Sequence, residues 1–215
     1  MISNDGILTL EDSVYLRLSE EILSGELPRG HALTESQLCS KYEASRTPVR
    51  SALHRLAEEG LVSCVPNKGA IVVGINQETL LDIYQIRMRL EGLSTALATE
   101  RITAAELSKL EGTVELAEFY AKKKDAENLR QLDSKFHEII YKASGNTMLE
   151  RTLKELHRMI KLYRKKSLSV GNRVFDSVKE HREILEAIKA KNSAEADRLT
   201  SEHISRALEN IKKTL

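Results

Sequence analysis

Residues 45–62 limit what this chain can fold into more than any other stretch. Ser45-Arg46-Thr47-Pro48-Val49-Arg50-Ser51-Ala52-Leu53-His54-Arg55-Leu56-Ala57-Glu58-Glu59-Gly60-Leu61-Val62 reads as one helix with a start, two faces and a stop. Ser45 suits the N-cap, where its hydroxyl accepts a hydrogen bond from a free backbone N–H of the first turn. Pro48 falls in that turn, where a missing N–H costs little. Arg46 and Arg50 are four residues apart and share a face. Leu53, Leu56 and Ala57 form another face, and Gly60 ends the helix. An exposed arginine pair at a helix N-terminus, backed by an apolar face, is what insertion into a DNA major groove requires.

The flanks complete a small domain. Thr34 caps a short helix over Glu35–Tyr42 with Leu38 inward, and Glu43-Ala44-Ser45 makes the tight turn of a helix-turn-helix. Leu61–Val65 and Ala70–Val73 read as two strands around the hairpin tip Pro66-Asn67-Lys68-Gly69. A first helix from Leu10 to Gly25 supplies the remaining core through Val14, Leu16, Leu18, Ile22 and Leu23.

These residues resemble the GntR family of bacterial transcription regulators. The resemblance runs in order through Gly25-Glu26-Leu27-Pro28-Arg29-Gly30, Leu33-Thr34-Glu35, Ser45 to Arg50, Leu56 to Val62 and Pro66 to Ala70. It implies a winged helix binding an operator as a dimer. Ser45, Arg46, Thr47 and Arg50 would meet bases and phosphates, and Lys68 and Gly69 at the wing tip would meet the minor groove. Ser51 stands where the family usually has Glu, and Ser36 where some relatives have Arg, departures that bear on the operator sequence more than on binding itself.

Charge narrows the mode of binding. The chain has 33 Lys+Arg against 32 Asp+Glu. Residues 1–74 carry 7 basic against 10 acidic side chains, with Lys41, Arg46, Arg50, Arg55 and Lys68 gathered in the second half. Such a balance excludes tight sequence-independent coating of DNA, and leaves specific binding by a dimer with two half-sites. No apolar run approaches the roughly 20 residues of a membrane span. Cys39 and Cys64 form no metal-binding spacing and fit reduced thiols in a cytoplasmic protein.

Beyond a linker at Gly74-Ile75-Asn76 the pattern is helical almost throughout. Six helices are expected, over residues 77–100, 103–124, 125–144, 147–168, 173–191 and 193–213. Thr103 with Glu106 makes a capping box. Asn146 and Ser193 cap two further helices. Leu149, Leu153, Leu156, Ile160 and Tyr163 form one apolar stripe. The fold class is therefore mainly α, with a winged helix-turn-helix over residues 1–74 and an all-α six-helix bundle over residues 77–213.

The histidines of the second half carry the next signal. Asp133 and His137 are four residues apart on one helix face. His181 lies 11 residues before Asn192 and His203 lies 11 residues after it, about 16 Å along an ideal helix in each case. In an antiparallel hairpin the two imidazoles reach the same level. Asp133 and His137 are a similar distance from the turn at Gly145. One Asp and three His meeting at mid-bundle suit a divalent transition metal such as Zn, Ni, Mn or Fe. His31, His54 and His157 match no ligand position.

Asp133-Ser134-Lys135-Phe136-His137, Ser144-Gly145-Asn146, Glu180 to Ile188 and Glu202-His203-Ile204 resemble the FCD ligand-binding domain of the FadR branch of GntR regulators. The resemblance implies that Asp133, His137, His181 and His203 hold a metal. Arg87-Met88-Arg89-Leu90-Glu91 matches that domain's Arg-x-x-x-Glu. Arg87 then either grips an effector carboxylate or pairs with Glu91 one helical turn on.

The expectation is a homodimeric regulator, a repressor, bound to an inverted-repeat double-stranded operator and controlled by a small carboxylate effector at the metal. In an alternative the ion itself is the signal. A metalloenzyme needs a general base beside the metal water. No His-Glu-x-x-His motif or spare Glu at that spacing supplies one, so no enzyme is expected.

Overall fold

The computed structural model describes residues 9–65, 69–160 and 173–213. It divides into two compact units, Met1–Asn76 and Gln77–Leu215. No helix among the described residues is long and apolar enough to cross a membrane.

The first unit is built from α1 (Leu10–Ser24), β1 (Ala32–Leu33), α2 (Glu35–Tyr42), α3 (Arg46–Glu58), β2 (Val62–Val65) and β3 (Gly69–Val72). Thr9 and Asp12 close a reciprocal capping box at the start of α1. Thr34 caps α2 by accepting from the Gln37 N–H, and Glu43 turns the chain in a left-handed conformation at φ 51°. Val49, Ala52, Leu53 and Leu56 bury one face of α3. They pack within a unit whose buried residues also include Val14, Leu18, Ile22, Leu38 and Leu61.

The strands form an antiparallel sheet in the order β1-β3-β2. Val62 faces Val72 and Val65 faces Gly69, while Leu33 faces Ala70. The short β1 was not visible in the sequence; two residues carry no alternation. It explains Gly69, which has φ +102° and whose missing Cβ would lie 2.0 Å from the Leu33 carbonyl oxygen. The tip residues Pro66, Asn67 and Lys68 lie outside the described residues.

The first helix departs from expectation at one position. Leu16 is 42% exposed and Tyr15 takes the buried place beside it. The Tyr15 hydroxyl donates to Glu59 Oε1 at 2.5 Å, tying α1 to the end of α3. An aromatic body with a polar tip can bury its ring and still satisfy its hydroxyl.

The second unit is α-helical among the described residues: α4 (Gln77–Arg101), α5 (Ala104–Lys122), α6 (Ala126–Ala143), α7 (Thr147–Met159), α8 (Arg173–Lys189) and α9 (Ser193–Lys212). Thr103 and Glu106 form the expected capping box, and Asn146 accepts from the Leu149 N–H. The cap of α9 is Asn192, which accepts from the Glu195 N–H; Ser193 is instead the first helical residue. Asn and Ser cap equally well, and the earlier residue has the non-helical backbone a cap needs. Leu149, Leu153 and Ile160 are buried as the stripe requires. Tyr163 and the far end of that helix lie outside the described residues.

The core of this unit joins Ala98 on α4, Leu110 and Val114 on α5, Phe136 and Ile140 on α6, Ile184 and Ile188 on α8, and Ala196 on α9. These aliphatic layers hold the polar mid-section of α6, α8 and α9 at fixed register.

Candidate functional site

Ser45, Arg46, Thr47 and Arg50 are all exposed at the N-terminal end of α3. Ser45 occupies the N-cap with an extended backbone, but its side chain makes no capping hydrogen bond. Its hydroxyl is thus not committed to the helix. Arg50 donates from Nε to Glu35 Oε1 on α2 at 2.7 Å. That bond draws Glu35 below the usual carboxylate range and raises Arg50.

The basic cluster read from the sequence is narrower in three dimensions. Lys41 pairs with Glu21 at 2.8 Å. Arg55 pairs with Asp12 and lies 3.6 Å from the Tyr15 ring centroid. Both cations are answered by α1. Arg46 makes no ion pair among the described residues, which leaves it and Arg50 exposed at the N-terminal end of α3. Gly69 flanks this end together with Arg50, Leu53 and Cys64, around a groove of about 290 Å³. Lys68 lies outside the described residues.

In the helical unit Asp133, His137, His181 and His203 converge. Each offers one ligand atom, and these atoms lie within 4.8 Å of one another. Nε2 of His137 and Nε2 of His203 are 3.3 Å apart, and Nε2 of His181 is 3.6 Å from Asp133 Oδ1. All four side chains are buried. The hairpin arithmetic explains why: α8 and α9 leave the Asn192 turn with equal reach to their histidines, and α6 presents Asp133 and His137 one turn apart.

The donor set fits a metal. Atoms bound at about 2.1 Å to one ion stand at most about 4.2 Å apart, so the widest gap needs to close by only about 0.6 Å. His181 Nε2 is buried and has no hydrogen-bond partner among the described residues, a cost of about 1–3 kcal/mol unless something binds it. Burial holds His181 well below the ordinary imidazole range, helped by neighbouring His203. Burial also lowers His203, against the opposing effect of its hydrogen bond to Glu180. Neutral imidazoles are the form that ligates.

The outer partners are what the sequence reading missed. His137 Nδ1 is 2.8 Å from Glu91 Oε2, and His203 Nδ1 is 2.6 Å from Glu180 Oε2. Glu180 hydrogen-bonds the Nδ1 side of His203, the pattern that fixes the tautomer of a ligating histidine, and Glu91 lies at ion-pair distance from the Nδ1 side of His137. Ser177 donates to Asp133 Oδ1 at 3.1 Å, and Phe136 stacks on His181 at 3.9 Å. Glu180 stands next to His181 in the sequence, and that adjacency was the available signal for it.

Arg87 is buried and donates from Nε to Glu91 Oε1 at 2.7 Å. Of the two roles open to it, the structure displays the turn-to-turn pair. Glu91, held by Arg87 and His137, stays well below the usual carboxylate range despite its burial. Arg87, Glu91 and His137 form a line running into the cluster. His157, set aside in the sequence, has its ring 6.0 Å from that of His137.

A sequence profile of the gntR family of bacterial regulatory proteins matches residues 10–72, and that of the FCD domain matches residues 82–206. The chain belongs to the GntR family. Three relatives illustrate the range. The uncharacterised HTH-type transcriptional regulator YdhC of Bacillus subtilis is 29% identical over 94% of this chain and 90% of its own length. The gluconate operon transcriptional repressor of Bacillus licheniformis is 29% identical over 83% of this chain and 75% of its own. The transcriptional repressor RspR of Escherichia coli is 22% identical over 95% of this chain and 90% of its own. Among solved structures, Escherichia coli McbR/YncC shares the fold at a TM-score of 0.77, with 23% identity across 97% of this chain and 99% of that one.

This GntR-family protein is a DNA-binding transcriptional regulator and not an enzyme. The gntR match falls in its first unit, and its FCD domain carries the buried Asp/His cluster.

Proposed function

We propose that this regulator is a homodimeric, cytoplasmic repressor whose grip on an inverted-repeat operator is set by a metal-held organic acid in the FCD domain. Asp133, His137, His181 and His203 hold a divalent transition metal, Zn, Ni, Mn or Fe. Four protein ligands leave up to two positions on a six-coordinate ion. A small carboxylate fills them. Arg87 turns from Glu91 to balance its charge. Ser45, Arg46, Thr47 and Arg50, with Lys68 and Gly69 on the wing, contact the operator.

The observation that carries this reading is the orphaned Nε2 of His181 inside a buried set of one carboxylate and three imidazoles. The repressors among the relatives support the sign of regulation. The acid shifts the protein between two arrangements only through different affinity for each.

Metal analysis of the purified protein tests the site. One ion per chain is expected in the wild type, and His181→Ala and His203→Ala should each strip most of it. Full occupancy in both variants would place the ion elsewhere. A second reading, that the ion alone is the signal, shares the same ligands. It predicts reversible loss of the ion to a moderate chelator and no response to added acids.

A further inference from the structure

The outward face of α3 continues past its two arginines. At about 100° per residue, His54 lies about 40° round the helix from Arg50 and about 20° from Thr47, one turn beyond Arg50. Its side chain is 78% exposed. The other polar positions of this stretch are committed to α1. Ser51 donates to Glu11 Oε1 at 2.6 Å, and Arg55 pairs with Asp12. Thr47, Arg50 and His54 are left together on the face turned away from the core, where all three are exposed.

His54 also stands where α3 meets the wing. It lines one groove with Arg50 and Leu53 of its own helix, Glu35 of α2, Cys64 and Val65 of β2, and Gly69 of β3. The charged and titratable groups that face it there are Arg50 and Glu58 on α3, Glu35 on α2 and Cys64 on β2. Glu35 is engaged by Arg50 at 2.7 Å. Glu58 Oε1 is 3.5 Å from His54 Nδ1, so the carboxylate sits on one edge of the ring and Nε2 is on the other.

We propose that His54 is a further operator contact, whose protonated imidazole holds a DNA phosphate through Nε2 and makes operator binding take up a proton. The proposal rests on α3 being the helix that enters the major groove, and adds to that reading a residue and a pH dependence. Imidazole is the side chain whose ordinary titration falls between pH 5 and 8. A phosphate beside it favours the charged form. Bound DNA therefore raises its proton affinity, and by linkage protons raise its affinity for DNA. Operator affinity increases as pH falls through the imidazole range. Above that range Glu58 meets the phosphate backbone without a counter-charge on His54, which acts in the same direction.

Fluorescence anisotropy tests this with an operator fragment recovered from genomic DNA by the full-length protein, at pH 6 and pH 8, over a salt series at fixed metal loading. The wild type should bind at least about fivefold more tightly at pH 6, since a shift of one pKa unit is worth tenfold at its limit. Its log–log salt slope should steepen there by about 0.9 per half-site, the share of one phosphate contact. His54→Gln should lose both effects, with circular dichroism confirming the fold. His54→Lys, charged at either pH, should bind at pH 8 about as the wild type does at pH 6. An undiminished pH effect in His54→Gln would overturn the proposal, as would a pH effect that leaves the salt slope unchanged. Arg50→Ala separates this from the placement of α3. Operator binding kept in Arg50→Ala removes α3 from the groove. Binding lost there, with His54→Gln matching the wild type at both pH values, leaves α3 in place and removes His54 alone.

Discussion

Arg50 is held before any DNA arrives. Glu35 accepts from its Nε at 2.7 Å, so in the proposed operator contact the guanidinium would be presented in one orientation. Arg46 makes no such pair among the described residues and gives reach without orientation. Arg46→Ala and Arg50→Ala are each expected to abolish specific operator binding while circular dichroism and thermal unfolding stay near wild type. Wild-type affinity in either variant, measured by fluorescence anisotropy, would refute the placement of α3 as the reading helix. Residues inside the FCD domain behave differently. Glu91→Ala strands the buried Arg87 without its carboxylate and should destabilise by about 3–5 kcal/mol in denaturant unfolding, the range for breaking one side of a buried pair. The Arg87–Glu91 spacing was readable in the sequence because helix periodicity alone sets it. That the other oxygen of Glu91 faces His137, and that Glu180 faces His203, was not. Those contacts depend on the rotation of each helix about its axis and on side-chain conformation, which spacing does not determine.

Elements were readable where a cap or a period marks them. Thr34, Thr103 and Asn146 each begin a helix as their sequences indicate, because a side-chain acceptor beside free backbone N–H groups has one good use. Asn192 and Ser193 show where such reasoning stops. Both are good caps, and the choice rests on which backbone is non-helical. Asn192→Ala should therefore cost about 1 kcal/mol in thermal unfolding, and Ser193→Ala no more than about 0.5 kcal/mol; the reverse order would move the cap. The helix α1 was misread at Leu16 for a related reason. Leucine and tyrosine compete for adjacent stripes, and Tyr15 gains both burial and a bond to Glu59. In the wing, Gly69 meets a rigid backbone oxygen of Leu33 and has φ +102°. Gly69→Ala should destabilise the first unit by more than about 1 kcal/mol, seen as early loss of hydrogen-exchange protection in β3. Unaltered protection would mean that β1 is not paired there.

The whole molecule is legible mainly through its joins. The change of pattern at Gly74-Ile75-Asn76 coincides with the division between Asn76 and Gln77, since a winged helix and an aliphatic bundle need different periods. The site in the bundle was legible because an antiparallel hairpin turns equal sequence offsets into equal height. The narrowness of the basic surface was not, because Lys41 and Arg55 are neutralised by α1 residues far away in the chain. What remains exposed and positive at the head of α3 is little, so operator binding should depend on two copies acting together and show a shallow salt dependence. Coupling between sites of one protein usually amounts to about 1–3 kcal/mol, or 5–150-fold in affinity. The most direct test takes an operator fragment recovered from genomic DNA by the wild type but not by Arg46→Ala. Its affinity is measured for metal-loaded, chelator-stripped and reloaded protein. The account predicts a change of at least fivefold on stripping, recovery on reloading, and no response to metal in His181→Ala. Equal affinity in all three states would contradict it, leaving a DNA-binding protein whose Asp/His cluster does not speak to its winged helix.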